Sequence, residues 1–257
     1  MISVKLILLA LKLEQIDRLR YAAAMFTIGI DVIITILFAV GLLQLVWLSV
    51  MLLRKGIAPS TITAALPPFI SIWVILWPLY EEAVSIWAGI MVLGLPTLMT
   101  YSLQRPFWQH LRIAWSGPAP NEGEGLPLPH MWPFISLLAT LVIAAAFFQR
   151  APEFGLGIGL AACLAFPAAS LLDRVSHLKL GFPIHPEQTL VGHIVLIIGI
   201  STICMWSIHI YHGIEWQRLL IATLIAGMIA SVIRGFSPST LILPLATLGM
   251  GTTLWLL

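Results

Sequence analysis

Long apolar runs broken by short polar stretches set the pattern of this chain. The first run starts between Ala22 and Ile34 and ends at Arg54-Lys55-Gly56. Further runs cover about 61–80, 83–103, 131–148, 154–172, 189–210, 217–234 and 240–256. An α-helix needs about 20 mostly apolar residues to cross a bilayer core. The runs approach that length, and Pro, Gly and clustered charges separate them. No extended period-two alternation accompanies them, so a transmembrane β-barrel is not indicated. The pattern predicts an all-α, polytopic integral membrane protein with about eight spans, within a range of roughly seven to nine.

The polar stretches set the organisation. Residues 1–20 hold an apolar run of only about ten residues, interrupted by Lys12 and Glu14, with no small-x-small cleavage site behind it. They read as an amphipathic segment on the membrane surface, followed by a membrane domain over 21–257. The longest break, 104–130, is rich in Pro, Gly and acids and makes an extramembrane loop. Within it, Phe107 to Trp115 is expected to form an interfacial helix with Trp108 and Trp115 at headgroup level. A second polar island, "DRVSHLKLGFPIHPEQTLVGH" at 173–193, gathers Asp173, Arg174, His177, Lys179, His185, Glu187 and His193.

Composition sharpens the membrane reading. Of 257 residues, 60% are hydrophobic and 9% charged, against about 25% charged in a soluble domain. A net charge of +2 offers no basic stripe to release phosphate counterions, so no nucleic-acid partner is expected. The bilayer itself is the expected partner. Cys163 and Cys204 lie in apolar stretches and read as small buried hydrophobes, not as a disulfide framework or a zinc signature.

Orientation follows from Lys and Arg in the loops. The side reached after the first span, side B, collects Arg54, Lys55, Arg105, Arg112, Arg174, Lys179 and Arg234. Side A collects Arg150 and Arg218. The N-terminal Lys5, Lys12, Arg18 and Arg20 fall on side A and oppose the trend. The loops agree across several spans, so side B, with 104–130 and 173–188, is expected to be cytoplasmic.

Acids are scarce, 11 in all, and each is a candidate. Divalent cations in phosphoryl transfer are held by carboxylates, while cations and hydrogen-bond donors meet the charge of the transition state. Asp173 and Glu187 flank the island as weak catalytic candidates, with Arg174, Lys179 and His193 as accompanying cation and base candidates. The plainer expectation is a local Asp173–Arg174 pair closing a helix end, with solvated or hydrogen-bonded histidines. Asp31 is expected at the side A interface, with Glu81 and Glu82 on the same side. His209 and His212 share a helix face with Glu215 nearby. The surrounding Trp and Tyr make an interfacial belt the better reading, and no metal site is assigned. Small residues in "GLGIGLAACLAFPAAS", "GMIAS" and "LGMGTT" suit close helix packing.

Several stretches then line up in order: "LLRKGIAPSTITAALPPF" (52–69), "RIAWSGPAPNEGEGLPLPHMWPF" (112–134), "LAFPAASLLDRVSHLKLGFPIHPEQTLVGH" (164–193) and "VIRGFSPSTLILPLATLG" (232–249). From about residue 40 onward this resembles the phytol kinase and dolichol kinase group of polyprenol kinases, relatives of the CDP-diacylglycerol synthases. The resemblance rests on order, spacing and helix pattern, with Ser116-Gly117 and the "PLA" of 244–246 as its closest literal matches. It implies phosphorylation of an isoprenoid alcohol with CTP and Mg²⁺, and a lipid or nucleotide loop at Ser116, Gly117, Thr189 and Gly192.

The family's catalytic signatures, however, fall on other residue types here. Its Arg-Lys pair and His meet Ala64, Ala65 and Pro68; its Gly-Asp meets Ala165-Phe166. A second Asp meets Ser170, while the Arg that follows it is kept as Arg174. Its Lys-Ser-x-x-Gly-Ser turn meets Gln188, Thr189, Gly192 and His193, and its late Asp-Asn meets Ser239-Thr240, with the acid before it on Ile233 or Arg234. Loss of charge-stabilising groups of this kind costs several kcal/mol of transition-state stabilisation each. The expectation is therefore a non-catalytic protein on a polyprenol-kinase-like scaffold, binding an isoprenoid lipid or a partner protein. The alternatives are an active kinase with displaced residues, which would need Mg²⁺ and CTP, and a small transporter. The chain shows no internal repeat of the kind transporters carry.

Overall fold

A computed structural model describes residues 29–80, 82–116, 131–180 and 185–257. The surface segment expected over 1–20, Gly117 with the rest of 117–130, and Glu81 lie outside the described residues. The described chain is helical: α1 (Gly29–Arg54), α2 (Pro59–Ile75), a 3₁₀ turn (Trp77–Leu79), α3 (Ala83–Ser102), α4 (Pro106–Ala114), α5 (Trp132–Arg150), α6 (Pro152–Val175), α7 (Leu190–His212), α8 (Trp216–Phe236) and α9 (Ile242–Leu256). Seven of these are long and apolar enough to cross a membrane: α1, α2 with its 3₁₀ turn, α3, α5, α6, α7 and α8. The eighth expected span is α9, whose 15 residues rise only about 22 Å. This is an all-α polytopic membrane protein. The only β-type pairing among the described residues is one bridge between Lys179 and Thr189.

Helix α6 is the axis. It packs against α2, α5, α7 and α9, and its middle is a run of buried small residues, Gly155, Gly157, Gly159, Ala161, Ala162 and Ala165. In lipid, helices gain little from burying apolar surface against one another, so close backbone approach and dispersion carry the association. Gly157 lets α6 lie against α7: a Cβ there would stand 3.3 Å from the Cα of Cys204. The reverse face of α7 meets α8 the same way, where a Cβ on Gly227 would come within 2.9 Å of the Ile197 carbonyl oxygen. The sequence-predicted small faces are thus the helix contacts.

The rest of the bundle is joined by large side chains. An aromatic ladder runs Phe38–Trp73–Trp77–Phe148, with centroid spacings of 4.4, 5.4 and 5.4 Å, and ties α1, α2, the 3₁₀ turn and α5 together. Pro67 and Pro68 lie inside α2, Pro96 inside α3 and Pro167 inside α6, without ending any of them. Proline is tolerated in spanning helices because neighbours, hydroxyls and local helix adjustment satisfy the freed backbone groups.

Contacts between helix ends sort the two sides. On side B, Trp132 Nε1 at the start of α5 donates to the Thr240 carbonyl before α9 (2.8 Å). Helix α4 forms where an interfacial helix was expected. Trp115 does not sit at headgroup level, however. It is fully buried, stacked on Phe134 at 4.5 Å, and donates from Nε1 to Ser49 Oγ at 3.0 Å. A buried Trp keeps its N–H partnered, and α1 supplies the acceptor. On side A, Asp31 stands in the first turn of α1, at the helix end expected for it, and is buried against the start of α3. Its Oδ2 accepts from Ser85 Oγ at 2.7 Å.

Candidate functional site

The polar island closes the side B ends of α6, α7 and α8. After α6 the chain turns back on itself: Leu190 N donates to the Leu178 carbonyl (2.9 Å) and Leu180 N to the Gln188 carbonyl (3.1 Å). Between these two segments, residues 181–184 are outside the described residues. The fold-back delivers Gln188 and Thr189 to the N-terminus of α7. Thr189 is its cap, with Oγ1 accepting from Gly192 N at 3.1 Å; such a cap satisfies one of the free N–H groups of a first turn.

Asp173 meets this cap. Its Oδ1 accepts from Thr189 N at 2.9 Å and from Thr189 Oγ1 at 2.8 Å. Its Oδ2 is paired with Nη2 of Arg234, from the last turn of α8. The two side chains are 8% and 5% exposed, so the pair is sealed from water. The helix dipoles favour both charges: Asp173 stands at the N-terminus of α7, and Arg234 at the C-terminus of its own helix. Pairing and three hydrogen-bond donors offset the desolvation of the carboxylate. The local Asp173–Arg174 pair expected from sequence is therefore not formed. Arg174 is exposed, and the partner of Asp173 comes from two helices further on.

A second chain of bonds runs beside the first. Gln188 Nε2 donates to the Arg234 carbonyl (3.0 Å), and His193 Nε2 donates to Gln188 Oε1 (2.9 Å). Ser231 Oγ lies 2.6 Å from His193 Nδ1. An amide oxygen can only accept, so His193 Nε2 carries a proton. Both ring nitrogens of His193 are engaged. Below, His185 Nε2 donates to the Ser237 carbonyl (2.7 Å), and its Nδ1 faces Glu187 Oε1 (3.3 Å). The island thus staples α6, α7, α8 and the turn into α9.

The predicted site residues divide accordingly. Asp173, Thr189, Gly192 and His193 come together; Arg174 and Lys179 point outward and are exposed. Glu187 is 66% exposed and faces His185, so the two acid candidates of the island do not stand together. Ser116 lies at the end of α4, where Oγ donates to the Ile113 carbonyl. Arg234, Gln188 and Ser231 are the members sequence reading missed as partners. An arginine in the last turn of an apolar helix is the available signal; Arg234 is buried there and is not a loop charge. Its Nη1 is buried without an acceptor among the described residues.

On side A the histidine pair separates as well. His212 Nε2 pairs with Glu153 Oε1 at 3.2 Å. His209 Nδ1 lies 2.8 Å from the Ile214 carbonyl, with its ring 5.3 Å from Trp216. Among the described residues no three His, Cys, Asp or Glu side chains gather around one point.

Comparison with protein-family models, characterised proteins and solved structures finds no match. The chemistry of the site must be read from its own residues. At the junction the carboxylate of Asp173 has both oxygens committed, the imidazoles of His193 and His185 have both nitrogens engaged, and the guanidinium of Arg234 is in an ion pair. That donor set does not fit a Mg²⁺-nucleotide, which asks for carboxylates free to bind the ion. What the arrangement does well is hold three helix ends in one register.

Proposed function

We propose that this is a non-catalytic membrane protein on a polyprenol-kinase-like scaffold, which binds an isoprenoid lipid through its apolar helical surface. The observation that carries the reading is the state of Asp173. It is the acid of the polar island best placed to serve a nucleotide loop, and it is spent on Arg234 and Thr189. A general base or metal ligand needs a free lone pair aimed at the reactant; both oxygens of Asp173 and both ring nitrogens of His193 are engaged by their neighbours. The junction then acts as the clasp of the scaffold. We further propose that side B is cytoplasmic, on the loop charges Arg54, Lys55, Arg105, Arg112, Arg174 and Lys179. Arg234, buried in its ion pair, leaves that count.

The test is transfer of label from γ-labelled CTP or ATP, with Mg²⁺, to a panel of isoprenoid alcohols of different chain lengths. An active polyprenol kinase runs in parallel, and binding of the same labelled alcohols to reconstituted protein is measured alongside. The expected result is binding without transfer. Transfer by the wild type that disappears in Glu187→Ala, an exposed change that leaves the Asp173–Arg234 pair and the Thr189 cap in place, would instead establish a kinase with displaced residues. Flux of an alcohol across vesicles without nucleotide would establish a transporter.

A further inference from the structure

At the side A ends of α5 and α9 lies an open cleft of about 270 Å³, lined by Phe147, Arg150, Thr252, Trp255 and Leu256. It is far from the polar junction, at the opposite ends of the helices. Its wall is apolar and aromatic, with one cation at the rim. Small-molecule pockets run about 300–1,000 Å³, so this cleft takes a segment of a chain and leaves the remainder along the surface. It opens where the bundle meets lipid: Trp255 is 52% and Leu256 82% exposed.

The depth of the cleft is set by α5. Its run from Phe134 to Phe148 has no charged residue, and Gln149-Arg150 then ends the helix. Arginine at such a position extends to the headgroup layer while its stem stays on apolar surface. Trp255, half exposed on the same cleft, is a residue that anchors at that layer. Among the described residues Arg150 has no acid partner. Glu153, three residues on, is taken by His212. An exposed guanidinium beside an apolar slot complements a molecule with an acyl chain and a headgroup phosphate that no cation of its own neutralises. Guanidinium recognises phosphate oxygens through paired N–H groups.

We infer that the α5–α9 cleft is a binding site for an anionic phospholipid, with one acyl chain against Phe147, Trp255 and Leu256 and the headgroup phosphate on Arg150. The occupant comes from the bilayer, because the slot faces lipid and the cation stands at its rim. A basic residue near the surface favours an anionic lipid by about fivefold.

The experiment uses the full chain in detergent micelles, titrated with phosphatidylglycerol or phosphatidylcholine carrying brominated acyl chains, which quench nearby tryptophan. The chain has ten tryptophans, so Trp255→Phe assigns the share that reports on the cleft. The expected result is about fivefold tighter binding of phosphatidylglycerol, reduced to parity in Arg150→Gln. Quenching should fall in Trp255→Phe and in Thr252→Phe, which fills the slot from an exposed position. Equal affinity of the wild type for the two lipids would overturn the inference. So would a preference that survives Arg150→Gln, or quenching unchanged in Trp255→Phe. Arg150, Trp255 and Thr252 are all exposed, and unfolding midpoints of the variants, expected to match the wild type, confirm that the comparison is between folded proteins.

Discussion

Gly192 and Asp173 fit together because glycine has no side chain. A Cβ on Gly192 would lie 2.1 Å from Asp173 Oδ1 and 2.8 Å from its Cγ. The carboxylate occupies the space a side chain would need, and this lets it reach the Thr189 cap. Gly192→Ala is expected to push Asp173 off Thr189 and strain the ion pair behind it. A loss of about 1–3 kcal/mol, the usual cost of overpacking, should appear in equilibrium unfolding in mixed micelles. In an Asp173→Ala background the same change should cost much less, since the obstructed atoms are gone.

The ion pair makes an asymmetric prediction. Asp173→Asn leaves Arg234 charged and buried, and Arg234→Met leaves Asp173 so. Each is expected to destabilise by about 3–5 kcal/mol. Asp173→Leu with Arg234→Met removes both charges and should recover most of the loss. It should stop short of the wild type by about 1 kcal/mol or more, because Thr189 N–H loses its acceptor. A catalytic role would not produce this recovery, so stability and labelled transfer measured on the same variants separate the two.

His193 stands between Ser231 and Gln188. His193→Ala should leave both unpaired in a buried place, at about 1–3 kcal/mol for the unsatisfied groups. Ser231→Ala removes one donor and should cost about 1 kcal/mol. In a His193→Ala background Ser231→Ala should cost nothing further, and a thermal unfolding series of the three variants checks it.

Trp115 carries two roles that substitution can divide. Trp115→Phe keeps the stacking on Phe134 and loses the bond to Ser49. It should cost about 1–2 kcal/mol, and Ser49→Ala added to it should be nearly neutral, because the Ser49 hydroxyl has then lost the indole N–H and its other bond goes to the Leu45 carbonyl of its own helix. Trp115→Ala adds a cavity and should cost about 3–5 kcal/mol.

Gly155 sits where α6 leaves α5. A Cβ there would be 2.3 Å from the backbone nitrogen of Phe148 and 2.4 Å from its Cα. Backbone cannot step aside as a side-chain tip can, so Gly155→Ala should open the α5–α6 turn and lower the unfolding midpoint more than Gly94→Ala. At Gly94 the nearest neighbour would be a Leu138 methyl at 3.8 Å.

The amino-acid sequence by itself determined the class of the protein and the places of its spans. Hydrophobic length is a local quantity: each run must fill the bilayer core whatever its neighbours do, and the breakers between runs mark the turns. It also marked the surface of contact, since small residues in an apolar helix have few uses besides close packing. The tertiary structure decided which polar groups meet. Asp173 finds Arg234 61 positions away, because α8 is rotated and seated so that its last turn faces the α7 cap. Arg234 shares the small face of α8 with Gly227, Ala230 and Ser231, so its inward direction is a local feature; which helix end meets it is not, because that depends on how the spans are seated against one another. Arg174, the neighbour in sequence, lies on another face of α6 and was the wrong partner for that reason. The same holds for Trp115, whose place was legible as interfacial helix and whose burial depended on Ser49 arriving from α1.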